Sequence, residues 1–188
     1  MSKYVNRMRE VLTTFNQEAI GISGAMADSR ERYSKEYAFA ELDKLRGQLN
    51  EASTNARSQI DSIHMEAQAA ARKWAALDGK EINTADLSLL KGDFALSVPD
   101  LTALVMKYWD NGTMINAIDK YVKQHRSACY VPCLDDKLQA YKILAQSAHS
   151  MIGSISESIG VPEDRISGWG VSGNVSDRLE RALYGIQQ

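Results

Sequence analysis

The chain has 188 residues, 44% apolar and 24% charged, with a formal charge of −2, which suits one globular domain with an extension or two small domains. Charge balances locally as well: Lys+Arg against Asp+Glu is 11 to 11 over residues 1–78, 6 to 6 over 79–130 and 5 to 7 over 131–188. No segment is basic enough to track phosphates by charge alone, and no apolar run approaches the length of about 18 residues that a membrane helix needs, so neither nucleic acid nor membrane is an expected partner.

Three prolines leave room for long helices. In the N-terminal third, Val5, Met8, Leu12, Phe15, Ala19, Ile22 and Met26 step alternately by three and four, a heptad-like pattern. The pair Gly21 and Gly24 marks a kink or break, since a helical glycine costs about 1 kcal/mol. A second series runs Leu42, Leu45, Leu49, Ala52, Ala56, Ile60, Ile63, Ala67, Ala70, Trp74, Leu77. Its doubled step of four at Ala52, Ala56 and Ile60 reads as a stutter, which unwinds a left-handed supercoil locally. One helix over 25–77 is about 80 Å long at 1.5 Å per residue, longer than a compact domain of this size covers. Packing against another chain therefore accounts for it better than an internal hairpin, and the alanine-rich seam suits a bundle more than a two-stranded coil.

Gly79 is placed to end this helix. Asn83 caps a helix over 84–90, with Asp86 in its first turn. Ser97, with Pro99 in the first turn, caps a helix through Trp109 whose inner face is Leu101, Leu104, Val105 and Tyr108. After an Asn111-Gly112 turn, Thr113 caps a helix with Met114, Ala117, Ile118, Tyr121 and Val122 inward. From Leu134 an amphipathic helix carries Leu138, Tyr141, Ala145, Ala148, Ile152, Ile155 and Ile159 to a stop at Gly160-Val161-Pro162. A Gly/Ser-rich loop and a short helix near 176–184 follow, and residues 94–98 are a weak strand candidate. The expected fold class is all-α: a long coiled-coil-like region over 1–78, a small helical bundle module over 79–160, and a loop with a short helix over 161–188.

No chemical motif survives its structural requirements. Gly168-Trp-Gly-Val-Ser-Gly173 matches G-x-G-x-x-G but lacks the preceding strand and the βαβ unit that a dinucleotide site needs, so a loop docked by Trp169 is preferred. The stretch from Asp78 to Asp86 resembles half a calcium loop, yet alignment puts Trp74 and Ala76 where oxygen ligands are required. Cys129 and Cys133 are separated by three residues rather than the two usual for redox or zinc pairs; His125 is the one further ligand nearby. His64, His125 and His149 stand in different segments without a triad context, and Asp135-Asp136 opens a helix, where capping explains them. The segments 101–109 and 113–123 form a helix-turn-helix candidate with only Asn116, Lys120 and Lys123 to offer bases. No catalytic residue, metal or cofactor is expected. Two cysteines make no disulfide framework and the first residues carry no apolar signal core, so a reducing cytoplasm is expected.

The stretch from Leu104 to Val122, reading L-x-x-K-Y-x-x-N-x-T-M-x-x-A-I-x-x-Y, resembles small helical proteins of tailed bacteriophages and prophages. Those pair a coiled-coil-like helix with such a module and are encoded among head and tail morphogenesis genes. The likeness covers about twenty residues closely and carries no catalytic residue. It implies a non-enzymatic structural or assembly protein, in the host cytoplasm during assembly or in the virion. Homo-oligomers and other phage structural proteins are then the expected partners. The association seam is assigned to Leu42, Leu45, Leu49, Ile60, Ile63 and Trp74, and the module core to Leu101, Leu104, Tyr108, Met114, Ile118 and Tyr121. The alternative is a dimeric regulatory or nucleic-acid-binding adaptor using the 97–126 hairpin.

Overall fold

The computed structural model describes residues 3–76, 82–92 and 95–170. Every regular element among them is a helix: α1 (Lys3–Arg32), α2 (Lys35–Ala75), α3 (Thr84–Lys91), α4 (Val98–Lys107), α5 (Gly112–Gln124), α6 (Leu134–Ser158) and α7 (Glu163–Ser167). They divide into two units. One holds Lys3–Met65 with residues 142–170; the other is the described part of Glu66–Tyr141. This differs from the boundaries 1–78, 79–160 and 161–188, because the apolar stripe of the later turns of α6 is grouped with the N-terminal helices rather than with the module before it.

In the first unit, α1 and α2 form an antiparallel hairpin. Val5, Met8, Leu12, Phe15, Ala19, Ile22, Met26 and Ser29 of α1 are buried. The break expected at Gly21 and Gly24 is absent, and α1 runs through both glycines. Ile22 and Met26 are anchored in the seam on one side of them, which outweighs their weak helix propensity. The chain turns instead at Tyr33-Ser34, where the Ser34 carbonyl accepts the first α2 bond from Ala38 N–H at 2.9 Å. The internal hairpin, rather than one helix over 25–77, is the observed arrangement.

The buried positions of α2 are Ala38, Leu45, Leu49, Ala52, Ala56, Ile60, Ile63, Ala67 and Ala71. The stripe keeps a heptad pattern to Ala52 and then steps by four, four and three, twice, to half-buried Trp74. A step pattern of this kind averages about 3.67 residues per turn and favours straight or right-handed packing. The stutter is therefore the start of a changed period, and Ala71 continues the seam in place of the expected Ala70. The later turns of α6 lie antiparallel to α2: His149 meets Asp61 at 2.8 Å and Ser156 meets Ser53 at 3.5 Å. Ala145, Ala148, Ile152 and Ile155 are buried there. α6 ends with Ile159 at φ 51° and Gly160 N–H bonded to the Ile155 carbonyl at 2.9 Å, a left-handed helix cap. Buried Asn16 then holds the connection to α7. Its amide donates to the Val161 carbonyl at 2.9 Å and accepts from Val161 N–H at 2.7 Å.

The second unit is built around α5, on which α3 and α4 pack. Asn83 caps α3 by accepting from Ala85 and Asp86 N–H. Ser97 and Asp100 form a capping box on α4, which stops at Lys107, short of the expected Trp109. Asn111, not Thr113, caps α5, its side chain accepting from Met114 N–H at 3.2 Å. Gly112 then takes the first helical position, where an added Cβ would lie 2.1 Å from the Trp74 carbonyl oxygen. Glycine is required by that approach. The expected helix stop at Gly79, the strand candidate at Phe94, the last glycine of the Gly168–Gly173 motif and the helix near 176–184 lie wholly or partly outside the described residues.

Candidate functional site

The proposed association seam is already covered within one chain. Leu45, Leu49, Ile60 and Ile63 are at most 8% exposed, while Leu42 and Trp74 are half-buried. The need for a partner to bury this stripe, inferred from helix length, falls away because α2 folds back on α1. In the second unit, Leu101, Tyr108, Met114, Ile118 and Tyr121 join one buried cluster with Leu104 packed partly against it.

Three of the large apolar side chains left exposed among the described residues stand at the tip of the hairpin. From Ile22 to Leu49 each helix buries a single stripe: Ile22, Met26 and Ser29 on α1; Ala38, Leu45 and Leu49 on α2. Around the turn, Tyr33, Tyr37 and Phe39 are 48%, 60% and 66% exposed, and the Tyr33 and Tyr37 rings lie 4.9 Å apart. The surrounding charges alternate: Arg30, Arg32 and Lys35 among Asp28, Glu31, Glu36 and Glu41, with Arg32 paired to Asp28 at 3.3 Å. Sequence pattern passed over these aromatics because they stand off both heptad stripes. Three aromatic residues within seven positions at a helix turn was the available signal. Nearer the bundle, α1 and α2 enclose an open groove of about 470 Å³ with Arg7, Glu10, Glu18, Asn55 and Gln59 on its rim and Phe15 and Ala56 within.

The polar clusters are structural in character. Asp86 of α3 accepts from Lys107 Nζ at 2.6 Å and from the Tyr108 hydroxyl, which ties α3 to the end of α4. The Lys107 bond first, and the Tyr108 bond second, hold the Asp86 carboxyl below its usual range. Lys123 is likewise engaged, by Asp119 at 2.6 Å. Cys133 occupies the capping position of α6. Its sulfur accepts from Asp136 N–H at 3.5 Å, while Asp136 accepts from Cys133 N–H at 3.4 Å and the Tyr130 hydroxyl at 3.1 Å. Burial raises the Cys133 thiol above its ordinary pKa, which keeps it protonated and weakly nucleophilic. His125 stacks on Tyr121 at 4.1 Å, and among the described residues no three His, Cys, Asp or Glu side chains are grouped to hold a metal ion. His64 lies near His149 and Asp61; burial, the largest influence, lowers its pKa. Trp169 itself is held in place: it is 5% exposed, its indole N–H donates to Ser147 at 3.1 Å, and its carbonyl accepts from Arg9 at 2.7 Å.

One group stands apart from these satisfied clusters. Lys137, in the first turns of α6, is 2% exposed, and its amine sits 3.4 Å from the centroid of the Trp74 ring. Its mark in the sequence is a cation near a helix N-terminus, where the macrodipole opposes it. Among proteins of known family, curated function or solved structure, none matches this chain.

Proposed function

We propose that this chain is a non-enzymatic, all-helical contact protein that self-associates through the tip of the α1–α2 hairpin. The observation that carries this reading is the exposure of Tyr33, Tyr37 and Phe39, with the Tyr33 and Tyr37 rings in contact, at the end of a hairpin whose own seam is satisfied. Large apolar side chains grouped at a surface are the usual mark of a contact site. A second copy fits best, because the interleaved charges around the tip let two such surfaces meet without net repulsion. The resemblance at Leu104–Val122 adds the context of phage head and tail assembly, in which other structural proteins are further partners. The adaptor alternative finds less support, since Lys107 and Lys123 are committed to Asp86 and Asp119.

Sedimentation velocity over a range of concentrations tests the proposal. The wild-type chain is expected to shift to a larger species as concentration rises, and the double variant Tyr37→Ser/Phe39→Ser to stay monomeric with unchanged helical circular dichroism. A wild-type chain that remains monomeric throughout, or a double variant that associates equally well, would overturn it.

A further inference from the structure

Trp74 is fixed from two sides. Its indole N–H donates to the Trp109 carbonyl at 3.0 Å, and its own carbonyl lies against Gly112. The flexible partner in the contact is therefore the Lys137 side chain, whose four-carbon stem leads the amine over the ring. Among the described residues no carboxylate lies within ion-pair distance of that amine, although Asp136 is its chain neighbour. Asp136 is taken up by Tyr130 and Cys133. The other titratable groups around this contact, among the described residues, are exposed Asp135 in the same turn, the Cys133 thiol, Tyr130, Tyr141 one turn along α6, exposed Asp110 beside Trp109 and, on α5, Lys123, which is paired with Asp119; Arg72 and Lys73 of α2 are exposed. A buried ammonium without a counter-ion is costly, and a ring face repays only part of its lost hydration. A neutral amine in the same place carries no such penalty.

We propose that Lys137 is a proton-operated release: when its amine takes up a proton, the side chain withdraws from the Trp74 face to water and loosens the contact between the last turn of α2 and the first turns of α6. The direction agrees with the amine's pKa, lowered from 10.5 to about 8 with burial as the one cause. The closed form then gives up its proton near pH 8, while the released side chain keeps it to the ordinary value.

Amide hydrogen exchange followed by mass spectrometry, corrected for the intrinsic rate at each pH, reads this opening on the full chain. In peptides covering 66–76 and 134–141, the opening constant is expected to fall about tenfold per pH unit as pH rises above 8. It should level off below that. The same peptides of Lys137→Met are expected to show a low opening constant independent of pH. A pH-independent constant in the wild type would overturn the proposal, and so would an unchanged slope in Lys137→Met. A parallel change in peptides of α1 would do so too, because the event would then be global unfolding.

Discussion

Replacing the outward-facing glycines of the hairpin by alanine should stabilise it. Gly21 and Gly24 lie inside α1 and Gly47 inside α2, and a Cβ built on any of the three meets no atom within 4 Å. Each substitution therefore adds helix propensity without a steric cost, worth about 0.8 to 1 kcal/mol. The triple variant Gly21→Ala/Gly24→Ala/Gly47→Ala should gain about 3 kcal/mol if the sites act independently. At roughly 2 to 4 °C per kcal/mol for a chain of this size, the melting temperature should rise by about 6 to 12 °C. Urea denaturation followed by circular dichroism at 222 nm should show a higher midpoint with an unchanged slope, and exchange in α1 peptides around residues 15–32 should slow. An unchanged or lower midpoint would refute the reasoning. It would mean either that α1 is not continuous through Gly21 and Gly24 or that these faces meet something the single chain does not contain.

Gly112→Ala should act in the opposite direction. The new methyl falls 2.1 Å from a backbone oxygen, so the start of α5 or the end of α2 must shift, and a loss of at least about 2 kcal/mol in denaturant midpoint analysis is expected. Lys137→Met should stabilise the protein at pH 7. Its folded pKa of about 8 lies below the unfolded 10.5, so the folded state binds the proton more weakly, and stability rises as pH climbs from 8 to 10.5. The penalty removed at pH 7 is about 3 kcal/mol, offset by up to about 2 kcal/mol of lost cation–π attraction. The advantage of Lys137→Met over the wild type should shrink through that same window; an advantage constant from pH 7 to 10.5 would contradict the linkage.

Local signals were legible wherever they involve neighbours in the chain. Asn83 and Ser97 cap α3 and α4 as their types and spacing require, with Asp100 closing the box on Ser97. The apolar steps from Val5 to Met26 mark the buried face of α1, and those from Ala145 to Ile155 mark that of α6. Where two local candidates competed, spacing was insufficient. Asn111 won the α5 cap over Thr113 because only Gly112 fits the first helical position beside Trp74, a contact 38 residues away in sequence. Ala71 replaced Ala70 in the seam because a four-four-three pattern tracks a straight helix better than the heptad assumed for it.

The site is the harder part, for a related reason. Tyr33, Tyr37 and Phe39 become notable only once the chain is known to turn between Arg32 and Lys35, and Lys137 only once Trp74 is known to cover it. Periodicity by itself determined that this protein is helical and most of the stripe that α1 and α2 hide. A stripe has no address, however: the same Leu45, Leu49, Ile60 and Ile63 would serve a second chain or the first turned back on itself. Tertiary structure decided for the latter, since a two-residue turn at Tyr33-Ser34 places α1 beside α2, and loop closure over so short a distance costs far less entropy than recruiting another molecule.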